Sequence, residues 1–267
     1  METMRLTEKK KSSKGVVIGL LLFFIIGGAI LYLGLKMEEE PEVVGTSTDN
    51  TETQSLVDVD KANKDELTKK NQSIEYSVTD KSIKDSSNAK MKAKMTLPVI
   101  SIEGEELSSI NSEVNKYYTD MFNSLKEQMA SASSKYTYTV TYNVYENMIE
   151  ENKVISITIY ERIVDDSAKK NTMNKIKTYN IDAATKEQIT QSNNIAQILF
   201  GKDYKTIIRD SIKDYVVSNK MMKESDFNYT YTGVKPFYIK EGKLHLIFNE
   251  GELVDSKYGV LDITINN

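Results

Sequence analysis

Residues 136–160 read Tyr-Thr-Tyr-Thr-Val-Thr-Tyr-Asn-Val-Tyr-Glu-Asn-Met-Ile-Glu-Glu-Asn-Lys-Val-Ile-Ser-Ile-Thr-Ile-Tyr. In the first half Tyr136, Tyr138, Val140, Tyr142 and Val144 alternate with threonines and Asn143. In the second half Ile155, Ile157 and Ile159 alternate with Ser156, Thr158 and Tyr160. A period of two in aromatic and β-branched residues marks strands with one buried face. The polar break from Glu150 to Lys153 joins the two runs as a hairpin. Tyr136, Tyr138 and Tyr142 share a face, and a sheet that must be covered on one side makes core the simpler role for them than an aromatic platform.

The covering layer lies just upstream. From Glu105 to Met129 the residues Leu107, Ile110, Val114, Tyr117, Met121, Leu125 and Met129 recur at three- and four-residue steps, which predicts a long amphipathic helix. Glu105 and Glu106 would sit at its N-terminus, where the helix dipole favours negative charge. Before it, Met91, Ala93, Met95 and Leu97 alternate with lysines and Thr96, a strand that Pro98 confines to an edge or an end. Downstream, Lys175 to Asp182 reads as a third strand of the hairpin's sheet. Ser192 is placed to cap a helix through Phe200 that stops at Gly201, and Asp203 to cap another with the stripe Tyr204, Ile207, Ile208, Ile212, Tyr215 and Val216. Strands are expected at Asp226 to Thr232, Phe237 to Lys240, Lys243 to Phe248 and Tyr258 to Ile265. Strands in runs with helices to one side give an α+β domain of mostly antiparallel sheet packed by two main helices.

The N-terminal third is different. Gly15 to Leu35 is 21 residues without a charge; as a helix it would span about 31 Å, the thickness of the hydrocarbon core. Its apolar run is longer than a signal peptide's and no small-x-small site follows it, so it reads as an uncleaved signal-anchor, a single-pass transmembrane helix at residues 15–35 in the lipid bilayer. Residues 1–14 carry five basic residues against two acids, whereas Glu38, Glu39, Glu40 and Glu42 follow the anchor. That bias keeps the 1–14 tail cytoplasmic and sends the rest outside the cell membrane. Gly27 and Gly28 would permit close packing and a homodimer, although glycine is common in membrane helices. Residues 36–87 are acidic and polar with scattered Val and Leu, the composition of a disordered linker. Asp58, Asp60, Asn63, Asp65 and Glu66 lack the glycine and the closing glutamate of a calcium loop.

Composition excludes much chemistry. The chain has no cysteine and a single histidine, His245, so thiol nucleophiles, disulfides and the usual zinc sites and triads have no material. The outer part lacks the basic stripe that tracks nucleic acid. The pairs Glu150 with Glu151 and Asp165 with Asp166 belong to turns, where solvated charge is the ordinary role, and His245 lies on the opposite strand face from Leu244 and Leu246. Neither an enzyme site nor a cofactor is expected.

Several short segments resemble a pair of adjoining extracytoplasmic modules, domains of unknown function, found in Gram-positive envelope proteins of the RsiV (lysozyme-sensing anti-sigma factor) and PdaC (peptidoglycan deacetylase) type. They are Leu97-Pro98-Val99-Ile100 with the long helix, Thr178-Tyr179-Asn180-Ile181-Asp182 before Ile189-Thr190, and Phe200-Gly201-Lys202-Asp203-Tyr204. Pro236-Phe237-Tyr238-Ile239 with Leu246-Ile247-Phe248-Asn249 and Gly259 completes the set. The resemblance covers residues 88–267, about 88–170 as an N-terminal part and 171–267 as a C-terminal part. It implies ligand contact at Tyr238, Asn249, Glu252 and Tyr258. Two departures stand out: the family's proline- and tyrosine-bearing loop is Glu250 to Lys257 here, and a turn glycine is Lys186. Fourteen cytoplasmic residues are too few for anti-sigma activity and residues 88–267 leave no room for a deacetylase domain, so neither activity is expected. The expectation is a binding or sensing module of the cell envelope whose partner is a cell-wall glycan, peptidoglycan, or a wall-active extracellular protein such as lysozyme. The alternative is an envelope scaffold.

Overall fold

The structure, a computed structural model, describes residues 53–266. The expected tail, anchor and first part of the linker lie outside the described residues. No helix among those described is long and apolar enough to cross a membrane.

The described chain runs α1 (Thr53–Gln72), β1 (Tyr76–Asp85), β2 (Met91–Ile102), β3 (Glu105–Glu106), α2 (Ser108–Gln128), β4 (Tyr136–Ile149), β5 (Asn152–Asp165) and β6 (Lys170–Asp182). It continues with α3 (Ser192–Phe200), α4 (Tyr204–Ser218), β7 (Phe237–Lys240), β8 (Lys243–Phe248) and β9 (Leu261–Thr264). The fold is α+β. A large sheet has the order β1-β2-β4-β5-β6 with β3 beside β2, and a small sheet has the order β7-β8-β9. All pairings are antiparallel except β2 with β4.

The hairpin of 136–160 is the centre of the large sheet, longer at both ends than its alternation indicated. β4 and β5 pair from Tyr136↔Asp165 to Ile149↔Asn152 around a two-residue turn in which Glu150 has φ 52°. α2 covers one face, burying Ile110, Val114, Tyr118, Phe122 and Leu125. The Phe122 and Tyr138 rings stack at 6.2 Å, and Tyr138 is fully buried, as its strand position predicted. α2 begins at Ser108 rather than Glu105, because Gly104 turns Glu105 and Glu106 back to pair with Ile102 and Ser101.

The expected linker is ordered from Thr53 onward. α1 is polar on nearly every side, the pattern of a helix held by contacts with the rest of the fold rather than by a buried stripe. Asp65 and Glu66 precede Lys69 and Lys70 by four residues, and both lysines lie in the last turn. Its C-terminal end docks on the β4–β5 turn: Asn71 is buried and donates from Nδ2 to the Glu151 carbonyl at 2.9 Å, and Lys64 pairs with Glu151. β1 then pairs with β2 along its whole length, with Lys81 and Lys84 along the sheet edge.

Pro98 does not end β2. Pairing with β4 stops at Met95↔Val140 and β3 pairs only from Ser101, so between them β2 has no strand partner on that side. Ile100 turns its N–H and C=O to that edge, where the Asn111 amide meets both at 2.9 and 3.0 Å in the manner of a neighbouring strand. Pro98, two residues earlier, points its nitrogen the same way and forfeits no ladder bond.

A second core lies under the small sheet, built from Ile195, Ile208, Ile212, Val216, Phe237, Ile239, Leu244, Leu246, Phe248 and Ile263 among others. β7 and β8 occupy the expected spans, and Gly201 at φ 67° ends α3. Four expectations fail here. Ser192 is the first residue of α3 and makes no cap; its hydroxyl is buried against Tyr231 Oη at 2.6 Å and the Gly233 carbonyl at 3.0 Å. Asp203 stands at the start of α4 without a side-chain cap bond. Residues 227–236 form a loop rather than a strand, and the last strand starts at Leu261 after a short 3₁₀ turn at Ser256–Tyr258. The boundary expected near residue 170 also moves, since β6 completes the large sheet and the second layer begins after it.

Candidate ligand-binding corner

β5 shows its helix-facing isoleucines to α2 and shows Val154, Ser156, Thr158 and Tyr160 to the other side. On that side the small sheet meets the large one edge-on. The Ile239 N–H donates to Ser156 Oγ at 3.0 Å, Asn180 Nδ2 donates to the Phe237 carbonyl at 2.7 Å, and Asn147 Nδ2 donates to the Ile239 carbonyl at 2.9 Å. Ser156 also donates to Asn180 Oδ1 at 2.7 Å, and the Gly242 N–H donates to Asn147 Oδ1 at 2.9 Å. Strand N–H and C=O groups lie in the plane of their sheet, so a β7 edge bonded to these side chains directs the small sheet into the face of the large one. All three polar side chains are buried, and the edge of β7 that β8 leaves unpaired is satisfied by them.

This joint creates a corner. Its floor is Asn143, Tyr145, Thr158 and Tyr160 of the large sheet; its wall is Tyr238, His245, Asp262 and Thr264 on the outer face of the small sheet. Tyr145 stacks on Tyr238 at 5.3 Å between centroids, and Tyr238 stacks on His245 at 4.4 Å. Asp262 fixes the wall: Oδ2 accepts from the Tyr238 hydroxyl at 2.6 Å, and Oδ1 lies 3.0 Å from His245 Nδ1. Asn143 Nδ2 reaches the Tyr145 and Tyr160 hydroxyls at 3.4 Å each, and Lys240 Nζ stands 5.6 Å from the Tyr145 ring centre. Burial, then the Asp262 carboxylate, pushes the Tyr238 hydroxyl's pKa well above that of an ordinary tyrosine. Burial, followed by the neighbouring Tyr160, raises that of Tyr145. Both rings therefore keep their protons, and with them the capacity to donate. Tyr145, Tyr160 and His245 are half-buried and present ring surface beside polar atoms.

Of the four residues that the family resemblance implied, Tyr238 belongs to this wall. Asn249 and Glu252 come together elsewhere, in the turn after β8, where Glu252 Oε2 accepts from the Asn249 N–H at 2.8 Å and Oε1 pairs with Lys235. Tyr258 donates to the Lys220 carbonyl at 3.2 Å beside the end of α4. Sequence reasoning missed Tyr145, Tyr160 and Asp262. Their meeting depends on the β7 joint and on the β8–β9 register, which pairs His245 with Thr264 and Ile247 with Asp262. The paired carboxylates do turn work: Asp165 Oδ1 accepts the Ser167 and Ala168 N–H groups at 2.8 and 3.0 Å, and Asp166 accepts from Thr137 at 2.8 Å. Among the described residues no group of three or more His, Asp or Glu side chains is arranged to hold a metal ion. Two shallow cavities, about 230 and 310 Å³, are lined respectively by Pro98, Asn111 and their neighbours and by Phe200, Gly242 and Ile265 among others.

No family model matches the chain, and no curated protein matches it. Among solved structures it is similar to a DUF3298 family protein from Pseudomonas aeruginosa PAO1, at 11% identity and a TM-score of 0.45, over 73% of this chain and 91% of that one. It is also similar to a DUF3298 family member from Bacteroides fragilis, at 14% identity and a TM-score of 0.41, over 72% of this chain and 90% of that one. Both neighbours are thus members of a domain family of unknown function.

Proposed function

We propose that the chain is a non-catalytic binding module of the Gram-positive cell envelope, of the RsiV/PdaC type, held at the membrane by residues 15–35 with its folded part outside. The ligand is a cell-wall glycan, and it seats in the corner between the two sheets. One observation carries the reading: half-buried rings of Tyr145, Tyr160 and His245 adjoin the fixed carboxylate of Asp262 and the amide of Asn143. Sugar rings offer an apolar face and a rim of hydroxyls, and a site for them needs both kinds of surface.

The test is co-sedimentation of the detergent-solubilised full-length chain with purified Gram-positive peptidoglycan. Wild type is retained, and Tyr145→Ala or Tyr160→Ala weakens retention by about tenfold or more, the loss expected from truncating a central aromatic contact. Equal retention of wild type and both variants would overturn the corner as the site. Capture by immobilised lysozyme without retention on peptidoglycan would replace the glycan by a wall-active protein as ligand.

A further inference from the structure

The opposite face of β5 holds a group that the corner does not use. Glu161 is 2% exposed and points under α2, into the core that Tyr138, Ile159 and Ile163 help to form. A glutamate at such a position ordinarily has an arginine or lysine and several hydrogen bonds. Here Glu161 Oε1 makes no well-formed hydrogen bond among the described residues, and neither do the fully buried hydroxyls of Tyr118 and Tyr138, although Tyr138 and Lys175 stand near enough to favour the carboxyl's charge. Every element around the carboxyl contributes a titratable neighbour. α2 supplies Tyr117 and Tyr118, with Glu113 further along it; β4 supplies Tyr138; and β6 supplies Lys175, directly opposite Glu161 in register, then Lys177 and Tyr179. Lys177 is committed outward, donating to Glu113 at 3.0 Å and lying 4.3 Å from the Tyr117 ring centre.

We propose that Glu161 and the tyrosines above it form a proton-linked latch between α2 and the large sheet. Protonated, the carboxyl is a neutral side chain that belongs in this core and can give its hydrogen to a tyrosine oxygen. Ionised, it is a desolvated charge at the contact of helix and sheet that Lys175 and Lys177 offset only in part, so ionisation loosens the helix from the strands. Burial raises the Glu161 pKa above the ordinary glutamate value, against the opposing pull of Lys175, the Tyr138 hydroxyl and Lys177. The folded state then binds the proton more tightly than the unfolded chain. Its stability is greatest below the glutamate's unfolded pKa and declines as pH rises from there through the raised folded value.

The test uses the full-length chain and follows thermal unfolding from pH 4.5 to pH 8. The wild-type midpoint falls as pH rises, by roughly 2–4 °C for each kcal/mol lost in a domain of this size, while Glu161→Gln, which keeps shape and removes the titration, shows a flatter profile. Parallel profiles for the two proteins would overturn the latch. Amide exchange on wild type gives an independent reading that needs no variant. After correction for the intrinsic base-catalysed rate, residues 108–128 lose protection between pH 5.5 and pH 8 relative to residues 204–218, whose core contains no such carboxyl. Equal protection ratios at the two pH values would also sink the proposal.

Discussion

Strand β5 carries a buried polar cluster on each face, and the two are built on opposite plans. On the side of the small sheet, Ser156, Asn180 and Asn147 spend their hydrogen-bonding capacity on one another and on the β7 edge. On the side of α2, Glu161, Tyr118 and Tyr138 bury oxygens that the described residues leave unmatched. A matched cluster defines how two layers dock, because any other arrangement strands its partners; an unmatched one costs stability and makes the layer responsive to protonation.

Breaking the matched cluster gives the largest effect. Asn180→Leu leaves the Ser156 hydroxyl and the Phe237 carbonyl without this partner in a buried joint, so urea unfolding should show a loss of about 2–4 kcal/mol. Amide exchange at Ile239 should quicken with it. A loss below about 1 kcal/mol would mean that the joint is held by apolar packing alone. Removing a group from the unmatched cluster should do far less. Tyr118→Phe deletes a hydroxyl that makes no bond in the described structure, and the expected change is within about 1 kcal/mol of wild type, of either sign. A loss as large as that of Asn180→Leu would show that the two clusters do not differ. The smallest effect is expected in the turn after β6. Lys186 adopts φ 62° and pairs its Nζ with Glu105, so Lys186→Gly relieves a left-handed conformation but loses a largely exposed ion pair, and the net change is no more than about 1 kcal/mol, readable as a small shift in thermal midpoint.

Much of the fold was legible where side chains obey one period. The hairpin, α2, α4 and the strands β7 and β8 all follow from alternation or from three- and four-residue steps. The failures share a cause, which is stabilisation from outside the segment. α1 has no apolar stripe and is held at its end by Asn71 and Lys64 on a turn 80 residues away. Phe227, Tyr229 and Tyr231 alternate like a strand yet anchor singly: Tyr231 through Ser192, Tyr229 edge-on to Phe248 at 5.4 Å, and Phe227 beneath Arg209. β2 passes Pro98 because an asparagine from α2 stands in for the missing strand. The corner was the least legible part. Tyr238 was named only through a family resemblance, while Tyr145 and Tyr160 looked like ordinary strand residues, and no local pattern reports which sheet a residue will face.

The tip of the β4–β5 hairpin also bears on how the molecule comes apart. Ile149 and Val154 are buried in the second core, whereas Tyr138, Val140, Ile157 and Ile159 of the same two strands are buried in the first. Withdrawing either set of residues from its core means moving the ribbon that supports the other. The two layers should accordingly melt as one cooperative unit, and a fragment cut after β6 would carry an uncovered apolar end into solution and associate with its own kind.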